Sequence, residues 1–388
     1  MPVYAFTSIT LNYLSKARTL FSTLHAHHPD WIRVAVVVER SLPGVREALL
    51  ALPEIDEVLR FEDLRIHGTD GAPLDAAEKD RWMFQHDVVE ACTAVKGSAL
   101  TQLLERPDAE AVVYLDPDMV VLDRLDKLTG YLSAGHSLVL TPHTCEPEPS
   151  LASVTDNEIG TLRWGIFNLG FLGVSKGAEG LRFARWWQSR IEFHCYIETA
   201  NGAFTDQSWC DLVPVFFDGV KIVRDPEFNV ATWNLTTRKV SGSRDGLRVN
   251  GGPLLALFHF SGHDKGMQLV MLQKYGMDMP GLFELREWYL QACEGFEDDA
   301  FRSHPWSYQY FDNGEKIPTD LRVMYRTRED LWRAFPSPFR SGDGSLQRWY
   351  LVTGLREEAM RPDRMHKHRT MRWIFRSYLS LRKRLPFR

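Results

Sequence analysis

An α/β fold, a mainly parallel sheet with helices on both faces, is what this chain predicts, and three observations carry it. Short apolar runs rich in β-branched residues alternate with amphipathic stretches from Val3 onward, the pattern of successive βαβ units. One run, Ala111–Leu115 (AVVYL), is apolar throughout, as a strand covered on both faces must be. It ends at Asp116-Pro117-Asp118, where proline's fixed φ and missing N–H stop the ladder. Two carboxylates therefore leave the carboxyl end of a core strand, the edge at which open α/β sheets hold ligands.

In chain order, residues 3–9 read as a first strand, and 12–28 as a helix with Leu14, Ala17, Leu20, Phe21 and Leu24 at helical spacing. Residues 31–38 are a second strand, 43–52 a helix capped by Ser41, and 57–61 a third strand. The stretch 76–104 is mostly helical with a break at Gly97-Ser98, and leads into the Ala111 strand. Residues 125–132 form a helix and 137–141 a strand. A long loop, with three prolines and several acids, covers 142–160, and loops of that length are functional or mobile. Residues 167–174 (FNLGFLGV) are a strand and 181–193 a helix, with short strands at 213–217, 221–223 and 254–260. This divides the chain into an α/β domain over 1–279, a helical and aromatic-rich extension over 280–360, and a basic tail over 361–388.

The composition is that of an ordinary globular protein, with 388 residues, 44% hydrophobic and 25% charged, and a net charge of −5. No whole-chain field favours nucleic acid. Five scattered cysteines without Cys-x-x-Cys spacing fit reduced thiols rather than a disulfide frame or a zinc site. The first residues lack a signal-peptide pattern, and no run reaches the roughly 20 apolar residues of a membrane span. The expected location is cytoplasmic.

Chemistry concentrates in three places. Asp116 and Asp118 repel each other unless a proton or a cation lies between them. Hard oxygen ligands suit Mn²⁺ or Mg²⁺, which commonly hold substrate phosphates. A solvated turn is the plainer reading, but the apolar run over 119–122 leaves it little room. At the end of the first strand (AFTSITLNY), Thr7, Ser8, Asn12 and Tyr13 read a base and ribose, or Ser8 to Asn12 cap the helix that follows, and the two readings are compatible. No G-x-G-x-x-G or G-x-x-x-x-G-K-[ST] loop is present, which argues against a dinucleotide dehydrogenase and a P-loop kinase. Finally, the apolar run LLALFHF delivers His259, followed by Gly262 and Lys265 (HFSGHDK). Imidazole is a suitable third ligand for manganese, and a lysine beside it neutralises phosphate charge.

Asp116-Pro117-Asp118 followed by His259-x-x-Gly262-x-x-Lys265 resembles the retaining nucleotide-sugar glycosyltransferases of the GT-A fold, in particular family 8. The resemblance spans roughly residues 1–275. It includes Asn168 and Gly170 in FNLGF, similar to that family's Asn-x-Gly sugar-binding strand, and Thr205-Asp206-Gln207, similar to its Asp-Gln segment. The resemblance implies that Asp116, Asp118 and His259 bind Mn²⁺ or Mg²⁺, and that the metal grips the diphosphate of a nucleotide-sugar donor, with Lys265 and Gly262 at the phosphates. It implies Asn168, Gly170 and Asp206 at the sugar hydroxyls, Gln207 on the sugar's reacting face, and Lys96 where the family has an arginine near the donor. In the family a Pro-Trp follows the lysine and a second acid follows the glutamine; here Gly266 and Ser208 stand there.

The expected activity is metal-dependent transfer of a hexose, from a UDP-sugar, to a glycan or lipid-linked acceptor with retention of configuration. Sugar-1-phosphate nucleotidylyltransfer uses a similar sheet but calls for a glycine-rich basic loop after the first strand, which AFTSITLNY lacks; a non-catalytic nucleotide-sugar-binding scaffold is the other alternative. In the tail, ten lysines and arginines face one acid, Asp363, with Trp373, Ile374, Phe375, Tyr378 and Leu379 between them. Such a segment suits the anionic surface of a membrane's inner face; a solvated tail and an RNA-binding patch are the alternatives, and no stacking platform or motif favours nucleic acid.

Overall fold

The computed structural model describes residues 2–353, apart from 200, 201 and 298. The basic tail over 361–388 lies outside the described residues. Packing divides the chain into two compact units, the first made of Met1–Asp75 and Val88–Ser307, the second of Ala76–Asp87 and Tyr308–Arg388.

Among its described residues the first unit holds thirteen strands, in chain order β1 (Val3–Ile9), β2 (Ile32–Val37), β3 (Glu57–Arg60), β4 (Ala111–Leu115), β5 (Met119–Val121), β6 (Leu138–Pro142), β7 (Phe167–Ser175), β8 (Ile197–Glu198), β9 (Ala203–Phe204), β10 (Val220–Ile222), β11 (Val240–Ser241), β12 (Arg248–Val249) and β13 (Leu257–His259). Seven of them form one sheet in the order β10-β6-β7-β4-β1-β2-β3. Pairs β1/β2, β1/β4, β2/β3 and β10/β6 are parallel. The long β7 runs antiparallel between β4 and β6. The mixed, mostly parallel sheet with helices around it is the α/β architecture the sequence predicts, and β1 and β4 are buried along their whole length.

One core fills the space between the sheet and helix Leu14–His27, whose Leu14, Ala17, Leu20, Phe21 and Leu24 are all buried. A second core gathers Phe258 and Phe260 with Leu282, Leu285 and Tyr289 of helix Pro280–Gly295. Phe260 stacks on Tyr289 with centroids 3.8 Å apart. None of the five cysteines is in a disulfide, and among the described residues no helix is long and apolar enough to cross a membrane.

Several local expectations give way to tertiary packing. The helical stretch after residue 76 breaks at 85–87 and at Val95, not at Gly97-Ser98, which both lie inside helix Lys96–Leu104. Gly97 is there because helix Ala178–His194 crosses it: a Cβ would lie 2.6 Å from the Gln188 Cα. Helix Val45–Leu50 starts from Gly44 in the left-handed region rather than from a Ser41 cap. The loop expected over 142–160 is helical in its second half. Ser150 accepts from the Ser153 N–H to start a turn that runs through a π-helical segment, Val154–Glu158, into helix Ile159–Trp164. Residues 213–217 are a helical turn, Val213–Phe216, because Pro214 fits its first positions. Of 254–260, Leu257–His259 forms the strand.

The second unit is helical, with Ala76–Phe84, Thr319–Thr327, Glu329–Ala334 and Leu346–Val352. Its buried Arg322 donates to the carbonyls of Phe84 (3.1 Å), His86 (2.9 Å) and Tyr308. The Phe84 ring meets Tyr325 and Phe339 edge-on, each at 5.0 Å.

Candidate active site

Two pairing events assemble the site from distant parts of the chain. After β4, the Asp116 N–H donates to the Gly170 carbonyl (2.8 Å) and Met119 closes the turn onto the Asp116 carbonyl (3.1 Å). β5 then runs antiparallel to β13, with His259 opposite Met119. The Phe260 N–H donates to the Asp118 carbonyl at 2.8 Å. The imidazole consequently stands against both acids, with Nε2 3.0 Å from Asp118 Oδ1 and 3.8 Å from Asp116 Oδ2.

The other face of the ring fixes its protonation. His259 Nδ1 lies 3.1 Å from Asn168 Oδ1, which also accepts from the Gly170 N–H at 3.3 Å. An amide oxygen only accepts, so Nδ1 carries the hydrogen and Nε2 turns its lone pair toward the carboxylates. That arrangement repels unless a proton or a cation sits at Nε2. Burial disfavours the imidazolium, yet Asp118 and Asp116 raise its pKa above 6.5. Burial likewise disfavours the Asp118 carboxylate, but His259 holds that carboxyl at about 2.

The three ligand atoms lie within 4.8 Å of one another, and the set of two carboxylate oxygens and one imidazole nitrogen fits Mn²⁺ or Mg²⁺. Gly170 makes the room, since a Cβ there would come within 2.7 Å of His259 Cε1.

A buried lysine balances the remaining charge. Lys96 Nζ is 3.0 Å from Asp206 Oδ2 and 3.3 Å from Asp116 Oδ1, and sits 4.1 Å from the centre of the Tyr114 ring. The Tyr114 hydroxyl donates to Asp116 Oδ1 at 2.5 Å. Burial opposes the ammonium, but the two acids keep it charged, with a pKa well above the ordinary range. Burial raises Asp206 in spite of Lys96. Three carboxylates thus face one locked ammonium, and with a neutral His259 the surplus matches one divalent ion. Thr205, whose hydroxyl donates to Asp206 Oδ1 (3.0 Å), is a β-branched residue held at φ 43°, an unusual backbone state of the kind that clusters at functional sites.

These groups line a cleft of about 770 Å³ in the first unit. Ser8, Tyr13 and Lys96 line it, as do Asn168, Asp206 and Gln207, and Gly262 and Lys265 at its mouth. Lys265 is exposed and makes no ion pair among the described residues, while Gly262 takes the left-handed turn (φ 76°) that leads to it. Gln207 is held by three bonds. Its Oε1 accepts from the Leu169 N–H (3.0 Å) and from Asn168 Nδ2 (3.4 Å), and its Nε2 donates to the Trp164 carbonyl (2.8 Å).

Three predicted residues lie elsewhere. Thr7 is fully buried in β1 and Gly170 packs behind His259. Asn12 accepts from the Thr10 hydroxyl (2.6 Å) and lines a neighbouring hollow. No side chain caps helix Leu14–His27 or the turn Leu11–Tyr13 before it, so the capping reading of this stretch is not seen.

Tyr114 is a cleft residue that the sequence reading missed. Lys16 and Asp264, also missed, line the neighbouring hollow beside Asn12: Asp264 accepts from Lys16 Nζ (2.6 Å) and from the Tyr13 hydroxyl (2.7 Å), tying the His263–Lys265 turn to the start of helix Leu14–His27 and the turn before it. Lys16 sits inside an apolar helical period and carried no signal; Tyr114, two residues before Asp116 on a buried strand, was legible as a hydroxyl needing a partner.

No family model matches the chain. The uncharacterized protein YfnF of Bacillus subtilis (strain 168) is 24% identical over 185 residues, which span 46% of this chain and 58% of that protein. Among solved structures, the galactosyltransferase LgtC in complex with donor and acceptor sugar analogues is similar at 16% identity over 78% of this chain and 97% of that one, with a TM-score of 0.40. GlyE, a glycosyltransferase of Streptococcus pneumoniae TIGR4, is similar at 14% identity over 80% and 67%, TM-score 0.40. Mouse xyloside xylosyltransferase 1 in its apo form is similar at 14% over 68% and 98%, TM-score 0.36.

Two outcomes follow from the geometry. Gly170→Ala displaces the imidazole and is expected to weaken Mn²⁺ binding roughly 10–100-fold, measured by isothermal titration; unchanged affinity contradicts the cradle. The second concerns pH in the metal-free protein. The His259 contribution is complete below pH 6.5 and is lost as pH rises through the raised imidazole pKa. At the acid end, the Asp118 contribution is lost as pH falls from 3.8 toward about 2. In urea unfolding, the stability of the wild type relative to His259→Gln is expected to fall on the alkaline side, and added Mn²⁺ to restore it there, because the metal takes the neutral imidazole. A flat difference across that range removes the pairing.

Proposed function

We propose that the chain is a metal-dependent glycosyltransferase of the GT-A type, related to family 8, which moves a hexose from a nucleotide-sugar to a hydroxyl of a glycan or lipid-linked acceptor with retention of configuration. The observation that carries this reading is the convergence of Asp116, Asp118 and His259 within 4.8 Å, at a cleft that also receives Lys265 and the Lys96–Asp206 pair. Such a set suits a diphosphate whose charge a divalent ion and a free ammonium share. A UDP-sugar is the donor this reading favours, with Ser8 and Tyr13 on the nucleoside side of the cleft. Membrane attachment through residues 361–388 belongs to the same reading.

Each group then has a task. A bound divalent ion supplies Lewis-acid stabilisation of the departing diphosphate. Lys265 adds a mobile positive charge at the phosphates, worth most where water is excluded. Lys96 cannot reach them without leaving Asp116 and Asp206, so its work is positioning: it holds Asp206 for the sugar hydroxyls. When the C1–O bond to phosphate lengthens, positive charge grows on the ring, and the Gln207 amide oxygen, fixed by Leu169 and Asn168, is the dipole beside it. The leaving phosphate oxygen takes the acceptor's proton as the new C1–O bond forms on the same face.

The test is a melting-temperature panel of UDP, GDP and their sugars with and without Mn²⁺. The expected result is a rise for one nucleotide series that requires both the metal and His259, because a ligand stabilises the state it binds. Proton NMR of the product made from that donor then shows the anomeric configuration kept. No metal-dependent rise with any nucleotide contradicts the reading; an inverted product contradicts retention.

A further inference from the structure

Large apolar side chains that water reaches are concentrated around the mouth of the cleft. On one side stand Leu162, Trp164, Ile166, Leu212, Val215 and Phe216, with Leu162 78% and Val215 80% exposed. Backbone and ring contacts tie together the stretches that carry most of them. The Ile166 N–H donates to Asp211 Oδ1 (2.7 Å), next to Leu212, and the Trp164 carbonyl accepts from Gln207 (2.8 Å). The Trp164 ring meets Phe204 edge-on at 4.7 Å, and Phe204 pairs across the ribbon with Ile197. Val88, Val89 and Ile197, all exposed, continue the apolar surface along the cleft wall itself. Across the cleft, exposed Met267 lines the opening and Val270 follows one turn along helix Met267–Tyr275. Single exposed apolar residues are ordinary, but a contiguous set marks an interaction surface.

We propose that this rim rests on the surface of a lipid leaflet and that the acceptor is lipid-linked, its polar head entering the cleft while its chain stays in the leaflet. The inference rests on the transferase reading of the same cleft and narrows its acceptor. Val88, Val89, Trp164, Ile197 and Met267 of this set line the cleft that an acceptor must enter. A folded protein seated there closes the opening; a fluid leaflet instead presents the acceptor through it. Charge agrees with an anionic leaflet. Arg163 lies between Leu162 and Trp164, exposed and without an ion pair among the described residues, and Lys265 stands in the mouth. The sequence of residues 361–388 adds ten basic residues, the composition that anionic headgroups attract. With no membrane-crossing helix among the described residues, the contact is that of a side chain layer dipping into the interface.

Flotation of the full chain with vesicles of phosphatidylglycerol and phosphatidylcholine tests this. Leu162→Glu with Val215→Glu, neither of which lines the cleft, is expected to weaken vesicle binding by about tenfold or more, in the full chain and again in a chain ending at 360. Binding equal to wild type in both backgrounds overturns the proposal. So does sedimentation in lipid-free buffer that finds a wild-type dimer dissociated by the substitutions while vesicle binding is unchanged, since the rim is then covered by a second copy. The melting temperature with UDP and Mn²⁺ is read alongside. A rise in both proteins upholds the donor reading, and a rise in neither removes that reading while the vesicle comparison still decides the surface.

Discussion

The site depends on the pairing of two three-residue strands, β5 and β13. Neither belongs to the large sheet, and each is too short to be stable alone. Their ladder, continued by the Phe260 N–H on the Asp118 carbonyl, brings His259 beside two aspartates that precede it by well over a hundred residues. It also presses like charges together. The cluster is tolerable because Lys96 is buried between Asp116 and Asp206 and because Nε2 of His259 faces the remaining surplus. A buried pair of this kind stabilises little in net terms, since desolvation offsets attraction. Its value is geometric, in fixing where the acids point.

That constraint organises the surroundings. β7 must be antiparallel to lie against β4 and bring Asn168 and Gly170 behind the imidazole, one to set its tautomer and the other to leave space for it. Asn168 then reaches Gln207, and Gln207 reaches Trp164, so the candidate metal ligands and the apolar rim are joined by one hydrogen-bond chain. The strained Thr205 stands next to Asp206 in this network, its hydroxyl donating to the Asp206 carboxylate.

Much of this was legible in the sequence because its signals were local. The apolar run before Asp116 announced a buried strand, and the proline between the acids announced its end. His259, Gly262 and Lys265 were found by spacing. What escaped depended on contacts between distant segments. Gly97 read as a helix break because a glycine's reason for being inside a helix, here the crossing backbone at Gln188, lies far along the chain. The 142–160 stretch read as a loop because its three prolines fill the first half, while the helix that Ser150 caps occupies the second. Thr7 and Ser8 were equal candidates in sequence. A strand's alternation sends the first into the sheet's interior and the second to the cleft.

The most direct test is anomalous diffraction at the manganese edge from crystals grown with UDP and Mn²⁺. The account predicts one peak within coordination distance of Asp116, Asp118 and the Nε2 of His259, bridged to the diphosphate. A nucleotide held in the cleft with no metal at these three side chains would contradict it.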